Sequence, residues 1–340
     1  MNSRLSRMSA WGRRHQMGLS LTGLALLLAL VPLILANPYR LGLGNLIGIH
    51  VLVVLGLNLF IGFAGQISLG HAAFFGMGAY GSAILTATYQ APPWPAMAVT
   101  ALAVAVLALV IGIPTLRLHG HYLAMATLGG NYVFHSILVE WDRVTGGPSG
   151  LSGVPSLTFL GIDIADETRF HYLVWSGVIL AMVLCLNLLR SGVGRGLAAL
   201  AQDEEAAACL GVDVRQSKIK TFVLSAVFAS LAGSLFAHYF GYVNPDAFSI
   251  FKSVDLVIMV VVGGLGSVWG TLIGAALITL LPHWLEFLAD YFDLLHGAIL
   301  VLILLFLPHG LVTGLWDAGR WRLARRRLAE AGEPEKVESL

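Results

Sequence analysis

The chain has 340 residues, of which 57% are apolar and only 11% are charged, and its mean hydropathy is +0.81. Because a soluble domain carries about 25% charged residues, this composition excludes an ordinary soluble domain and predicts a polytopic membrane protein. The formal net charge of +1 gives no reason to expect nucleic acid as a partner.

The N-terminal stretch 1–17 carries four arginines and no acid, which predicts a cytosolic terminus. The apolar run that follows, 18–36, is longer than the core of a signal peptide, so we expect an uncleaved first membrane helix. Further apolar runs follow at 41–62, 68–89, 95–113, 120–139, 170–189, 219–242, 253–281 and 296–311.

The run 253–281 is too long for one untilted helix and contains Gly263-Gly264-Leu265-Gly266. Its length allows one tilted helix or two shorter elements. Two elements place 16 of the 20 lysines and arginines in the cytosol, whereas one element divides them evenly. We therefore predict an all-α protein with about ten membrane elements, two of them short or broken, and both termini cytosolic. The membrane domain covers 18–313, and the tail 314–340 is cytosolic.

Two polar stretches interrupt the apolar runs. The stretch 190–218 is predicted to be cytosolic and to hold an amphipathic helix, because apolar residues recur there at helical spacing, at Leu197, Leu200, Ala201, Ala208 and Leu210. The stretch 141–169 is rich in glycine and proline and is predicted to be an outer loop.

Polar side chains inside membrane runs are costly, so each is a functional candidate. The densest group lies between Gly65 and His71, where glycines allow a backbone break whose amides can face a solute. Ordinary hydrogen bonding between helices is the alternative. The candidates for a pathway that carries a zwitterion or a small neutral solute are Asn58, Gln66, Ser68, His71 and Asn131.

Several mechanisms lack the residues they need. The chain has no P-loop sequence and no convincing set of intramembrane carboxylates for ion coupling. Because His119-Gly-His121 lies at a membrane boundary with no neighbouring carboxylate, we expect a structural role for it and no metal site. No residue cluster suggests an enzyme. Uphill transport would need another subunit to supply energy; a self-contained channel or secondary carrier is the alternative.

Three ordered stretches resemble the LivM-type permeases of branched-chain amino-acid ABC importers: 58–80, 145–151, and 195–233 resuming at 261–270. ABC permeases carry a cytosolic Glu-Ala-Ala, three residues, then Gly, and Glu205-Ala206-Ala207 precede Gly211 at that spacing. The downstream Ile-x-Leu-Pro of the family is absent. The resemblance implies a coupling helix that sits in an ATPase cleft, with Leu200, Ala207 and Leu210 filling the cleft and Gly211 ending the helix in the left-handed conformation. The implied coupling residues are Arg195, Asp203, Glu204, Glu205, Ala206, Ala207 and Gly211.

The resemblance also implies partners and a cargo. The partners are a second permease of the LivH type, two ATP-binding cassette subunits that bind ATP and Mg, and an extracytoplasmic binding protein; this chain itself needs no cofactor. The binding protein would dock at Thr145, Gly146, Gly147 and Gly150. The expected location is the cell inner membrane, and the expected cargo is leucine, isoleucine or valine. Urea, short amides and other amino acids stay open as alternatives.

Overall fold

The computed structural model describes residues 21–32, 37–159, 162–284 and Gly297. Helices dominate this part of the chain, and two of them continue as π-helical turns, α2 through Leu59–Phe63 and α3 through Ile84–Thr88. The α-helices are α1 Leu21–Pro32, α2 Pro38–Asn58, α3 His71–Ala83, α4 Pro93–Thr115, α5 His121–Glu140, α6 Asp142–Thr145, α7 Glu167–Arg190, α8 Gly192–Gln202, α9 Glu204–Cys209, α10 Val214–Phe240, α11 Ile250–Gly263 and α12 Val268–Trp284.

The helix ends follow ordinary capping chemistry. Proline at position 38 opens α2, and the Asn37 side chain accepts a hydrogen bond from the Tyr39 amide at 3.0 Å. Helix α7 has Glu167 in its first turn and Arg190 in its last turn, so both charges interact favourably with the helix dipole. These local signals place the ends of the long helices close to where the apolar runs end.

In the part of the chain that the structure describes, four helices are long and apolar enough to cross a membrane: Pro38–Phe63, Pro93–Thr115, Glu167–Arg190 and Val214–Phe240. Helices α1 and α12 are shorter apolar helices. The prediction of an all-α multi-pass membrane protein is confirmed. The predicted termini 1–17 and 314–340 lie outside the described residues, and so does the run 296–311 except for Gly297.

Helices α2 and α10 form the centre of the bundle. Their most apolar windows are 78% and 61% buried inside this chain, against 39% for α4 and 33% for α7. Residues 49–55 of α2 are buried on every side of the helix, which a helix reaches only when it is surrounded by other helices. Helices α4 and α7 therefore lie at the periphery, with apolar side chains left on their outer faces.

The run 253–281 forms two helices that turn back on each other, α11 and α12. A Cβ atom at Gly270 would overlap the Gly263 carbonyl, and one at Gly274 would overlap the Met259 carbonyl. These two pairs show antiparallel helices whose backbones touch through glycines. The prediction of two elements with a break near Gly264 is confirmed, and the single tilted helix is wrong.

The two polar stretches lie at opposite ends of α10. Residues 190–213 precede it, and Tyr242–Val243 (β4) follow it and pair antiparallel with Leu151–Ser152 (β1) of the loop 141–169. A second small pair, Thr158–Phe159 (β2) with Ile162–Asp163 (β3), lies within that loop. A helix of 27 residues is about 40 Å long. We call the two regions the α9 end and the loop end.

The single amphipathic helix predicted through 197–210 is interrupted at Asp203. The backbone there is extended, with φ −158°, and the Asp203 carboxylate accepts hydrogen bonds from the amides of Glu205 at 2.8 Å and Ala206 at 2.9 Å. Aspartate is among the preferred N-cap residues, so it starts a new helix instead of continuing α8. The helical spacing of the apolar residues did not distinguish one helix from two.

Candidate functional site

A non-helical segment, residues 64–70, joins the end of α2 to the start of α3. The protein buries part of it, with Gln66 6% exposed and Ser68 fully buried, whereas Gly65 and Ile67 are exposed. Irregular backbone is tolerated at membrane depth where protein buries it or where it lines a cavity. The predicted backbone break is therefore confirmed.

Gln66 ties this break to the α9 end. Its Nε2 donates to the Ala64 carbonyl at 3.2 Å and to Glu204 Oε1 at 3.0 Å. The same carboxylate oxygen pairs with Lys218 Nζ at 2.5 Å, and His119 Nε2 lies 3.5 Å from the other oxygen. One carboxylate thus joins α9, the start of α10, the break after α2 and the turn before α5.

The sequence did not reveal Lys218 as part of this site. Its side chain is only 2% exposed, so its charge is removed from water and needs a partner. Glu204 supplies that partner and also lies 3.5 Å from His119 Nε2, so the expectation that no carboxylate neighbours His119 is wrong. A lysine near the start of a helix is usually interpreted as a solvated surface charge, so no local sequence pattern predicted that Lys218 is buried.

The pKa of the Glu204 carboxyl lies below its ordinary value. Burial alone would raise it, but hydrogen bonds from Lys218 and Gln66 and the electrostatic effects of Lys218 and His119 outweigh burial. Glu204 is therefore held in its charged form. It was expected to face a partner protein, yet its acceptor oxygens are engaged within this chain.

His71 joins α3 to α10 through two serines. Its Nδ1 lies 3.1 Å from Ser68 Oγ, and its Nε2 lies 2.7 Å from Ser225 Oγ. Ser225 Oγ donates its proton to the Phe222 carbonyl, so His71 must donate from Nε2 and accept at Nδ1. Both ring nitrogens of this neutral imidazole are satisfied, which makes His71 a tie between helices.

Asn131 of α5 joins the start of α11. Its Nδ2 donates to Ser253 Oγ at 3.0 Å and to the Ser249 carbonyl at 3.4 Å, and Ser253 Oγ also accepts from the Ala72 amide at 3.1 Å. Within the described residues, the buried Asn131 Oδ1 has no hydrogen-bond partner. Of the groups near the start of α3, it alone offers an unused buried acceptor that the predicted pathway could use.

Asn58 holds the turn between α11 and α12. Its Oδ1 accepts from the Gly266 amide at 3.0 Å, and its Nδ2 donates to the Ser267 carbonyl at 3.0 Å. The five predicted pathway residues therefore do not form one cluster. Ser68, His71 and Asn131 gather at the start of α3, while Gln66 binds α9 and Asn58 binds the glycine turn.

The surface of α9 differs from the expected one. Leu200 is 2% exposed and Ala207 is 1% exposed, so both pack inside this chain, and the expectation that they fill a partner's cleft is wrong. Leu210 is 79% exposed. The other exposed residues of the expected coupling set are Arg195, Asp203, Glu205, Ala206 and Gly211.

Gly211 ends this segment with φ +83°, as expected for a left-handed residue after a helix. Its amide bonds to the Ala208 carbonyl at 3.0 Å. A side chain there would meet no neighbouring atom within 4 Å, so the requirement for glycine comes from the backbone conformation alone.

The loop expected to dock a binding protein is partly closed. Thr145 is 3% exposed, and its hydroxyl contacts the carbonyl oxygens of Leu138 at 2.7 Å and Trp141 at 2.9 Å. Gly147 is buried, and Gly146 and Gly150 are half-buried. These residues shape the turn after α5, so the expected contact by Thr145 and Gly147 is wrong. The exposed residues between them are Pro148 and Ser149.

The sequence of this chain is similar to those of known transport permeases. A sequence model of the family described as branched-chain amino acid transport system / permease component matches residues 39–304. The high-affinity branched-chain amino acid transport system permease protein LivM of Escherichia coli (strain K12) is 32% identical over 314 residues, covering 84% of this chain and 74% of that protein. LivH of the same strain is 25% identical over 282 residues, covering 77% and 91%.

The autoinducer 2 import system permease protein LsrC of Salmonella paratyphi B (strain ATCC BAA-1250 / SPB7) is 27% identical over 194 residues, covering 54% of each chain. No solved structure matches the chain. The family match covers most of the chain, including the break after α2, α9 and the α11–α12 turn. The chain belongs to the family of permease components of branched-chain amino acid transport systems.

Proposed function

We propose that this chain is the membrane-spanning permease subunit of an ABC importer that passes leucine, isoleucine and valine into the cell. Two ATP-binding cassette subunits bind ATP and Mg and drive transport, so the chain itself is not an enzyme. A second permease of the LivH type completes the pathway, and an extracytoplasmic binding protein delivers the solute. The complex resides in the cell inner membrane. Family membership and the likeness to LivM and LivH support this assignment.

The observation that carries the proposal is the hydrogen bond between Gln66 and Glu204. Helix α9 has an exposed face and a face bonded to the interior of the membrane domain. A displacement of α9 by an ATPase therefore reaches the break after α2 through one carboxylate. Such a link is what a permease without its own energy source needs.

The exposed part of α9 suits a cleft in an ATPase subunit. Leu210 presents a large apolar side chain to the surroundings, and Glu205, five residues before it, is also exposed. An apolar anchor with a charged rim is the usual composition of a protein contact. The contact is made by Glu205, Ala206, Leu210 and Gly211, while Glu204 and Ala207 hold α9 to the membrane domain.

The native cysteines allow a direct test of this contact. Cys209 lies in α9 and is exposed, whereas Cys185 of α7 is buried. A membrane-impermeant maleimide should label Cys209 rapidly in the permease pair without ATPase subunits. Labelling should slow strongly in the assembled complex, because α9 is then covered.

The control for this test is Pro148→Cys in a Cys209→Ser chain, which places a thiol on the exposed outer loop at the opposite end of the protein. Its labelling should be indifferent to the ATPase subunits and should come from the other side of the membrane. Equal labelling of Cys209 with and without the ATPases would overturn the contact. Labelling of both positions from one side would overturn the topology.

A further inference from the structure

The end of α2 and the break that follows it carry two buried amide side chains with partners on different elements. Gln66 donates to the Glu204 carboxylate of α9 at 3.0 Å. Asn58 is 1% exposed; its Oδ1 accepts from the Gly266 amide and its Nδ2 donates to the Ser267 carbonyl, both at 3.0 Å. One short segment of chain therefore contacts both the α9 end of the protein and the turn between α11 and α12.

The segment between these two amides is bonded to the end of α2. Residues Leu59–Phe63 continue α2 as a π-helical turn, and the Gln66 backbone amide donates to the Phe60 carbonyl at 3.1 Å. That bond reaches back six residues, so the backbone of Gln66 is attached to the helix end rather than to a free loop. Single π-helical turns of this kind are frequent at functional sites. A displacement of the Gln66 side chain therefore acts directly on the end of α2.

The turn between α11 and α12 rests on this helix end with no side chain between the two backbones. A Cβ atom at Gly62 would overlap both the Gly266 amide nitrogen and Asn58 Oδ1. Gly266 has φ +73°, and a Cβ atom there would lie 3.4 Å from the Gly62 carbonyl oxygen. Close-packed interiors have low compressibility and transmit strain. A displacement of the end of α2 therefore passes to the turn.

Helices α11 and α12 follow the turn as one unit, because their backbones are in contact through glycines along both helices. The other end of α11 is bonded to two further helices. In its first turn, Ser253 Oγ accepts from Asn131 Nδ2 of α5 at 3.0 Å and from the Ala72 amide of α3 at 3.1 Å. The unit thus extends from the contact with α2 to the polar groups at the start of α3.

We propose that Asn58 is a positioning residue for coupling, which passes a displacement of α9, received through Glu204 and Gln66, to the α11–α12 turn. The inference rests on the proposed function, in which an ATPase subunit moves α9. Asn58 bonds the turn through both atoms of its amide, so it fixes the orientation of the turn as well as its distance from α2. This role requires no contact between Asn58 and the transported solute.

Asn45, near the start of α2, is a matched control with a purely structural amide. It is also buried, and its Nδ2 donates to the Glu167 carbonyl at 3.1 Å and to Glu167 Oε2 at 2.8 Å. These bonds join α2 to α7, and Asn45 lies about 20 Å from Asn58 along the helix. If Asn58 only stabilised the fold, alanine at either position would affect transport in the same way.

The amount of leucine taken up per ATP hydrolysed, in vesicles that hold the complete importer, measures coupling. In Asn58→Ala the turn loses both hydrogen bonds, so this ratio should fall at least about fivefold while hydrolysis continues. In Asn45→Ala the ratio should be unchanged. An unchanged ratio in an assembled Asn58→Ala complex, or an equal fall in the two variants, would overturn the proposal.

A double-mutant cycle tests whether Gln66 and Asn58 act in series. Gln66→Ala removes the link to α9, so adding Asn58→Ala to it should lower the ratio no further. Effects of the two substitutions that multiply would show independent roles and would contradict the proposal. Loss of a solute contact at Asn58 would also multiply with Gln66→Ala, since it does not depend on α9, so the cycle distinguishes coupling from solute binding.

A second measurement leaves Asn58 in place. Leu265, in the turn, is 45% exposed, so Leu265→Cys in a Cys209→Ser chain reports the position of the turn. Its rate of maleimide labelling should differ several-fold between the complex with ADP and the complex trapped with ATP and vanadate, and Gln66→Ala should abolish the difference. Equal rates in the two states would overturn the proposal even where Asn58→Ala does not assemble. Failure of the unmodified complex to import leucine would instead contradict the proposed function, so the two failures are distinguishable.

Discussion

The side-chain amide of Gln66 donates to the carboxylate of Glu204 at 3.0 Å, although the two residues lie 138 positions apart in the chain. Gln66 is a buried residue of the break between two membrane helices, and Glu204 opens the short helix at the α9 end. The bond joins the part of the chain that can face a partner to a non-helical part of the membrane domain. It makes the α9 segment part of the bundle rather than an appendage.

The ion pair between Glu204 and Lys218 should stabilise the folded chain. Glu204→Gln leaves the buried Lys218 ammonium without its counter-charge, so we expect a loss of about 1–3 kcal/mol in the free energy of unfolding. The matched variant Glu205→Gln changes an exposed carboxylate and should shift it by less than about 0.5 kcal/mol. Thermal unfolding of the detergent-purified chain measures both, and equal melting temperatures for the two variants would contradict a buried pair.

The same pair predicts a dependence of stability on pH. The pKa of Glu204 is lowered in the folded chain, so its contribution is fully present above the ordinary value of 4.5 and is lost as pH falls through the folded pKa. The difference in melting temperature between the wild type and Glu204→Gln should therefore be constant near neutral pH and shrink in acid. A difference that grows as pH falls would have the wrong sign.

The π-helical end of α2 touches the glycine turn between α11 and α12, which predicts a strict size limit at Gly62. A Cβ atom at Gly62 would overlap the Gly266 amide and the Asn58 side chain, so Gly62→Ala should destabilise the chain by about 1–3 kcal/mol. The control is Gly130→Ala on α5, where a Cβ meets no atom within 4 Å. There alanine should be neutral or stabilising by up to about 1 kcal/mol. The melting temperature should fall in Gly62→Ala and stay unchanged or rise in Gly130→Ala. Equal melting temperatures for the two variants would contradict the contact at Gly62.

Gly211 gives a test of coupling that is separate from packing. Gly211→Val forces a branched residue into φ +83°, at a cost of about 1–2 kcal/mol, without any steric overlap. We expect the end of α9 to shift, so that leucine uptake falls several-fold while ATP hydrolysis continues. Gly192→Ala at the start of α8, where φ is not positive, should leave the ratio of uptake to hydrolysis unchanged. An unchanged ratio in Gly211→Val would contradict a coupling role.

Much of the fold could be predicted from the sequence, because lipid imposes long apolar runs and a bias in positive charge. The division of 253–281 into α11 and α12 followed from the length of the run, its glycines and charge parity, and the break at Gly65–Gly70 followed from glycines beside polar residues. Asp203 was missed because an acid on the polar side of an amphipathic pattern fits both a helix interior and a helix cap. Only the backbone conformation distinguishes these two positions.

The long-range partners could not be predicted, for a physical reason. His50 of α2 meets Lys252 of α11, which is 202 positions away, and Lys218 of α10 meets Glu204 across the turn that separates α10 from α9. A polar residue in an apolar run does not reveal which neighbour satisfies it. The expected contact surfaces were wrong for a similar reason at Ala207 and Thr145. Both residues were predicted to contact a partner protein, but both pack inside the chain. Burial is a property of the assembled bundle, and helical periodicity predicts it only for regular helices.

Leucine uptake by reconstituted vesicles tests the central claim most directly. Vesicles holding this chain, its permease partner and both ATPase subunits, supplied with loaded binding protein, are compared with vesicles lacking the ATPases. The account predicts uptake only in the complete complex and only with hydrolysable ATP on the α9 side. Leucine uptake by this chain without ATPase subunits would contradict it and would favour a self-contained carrier.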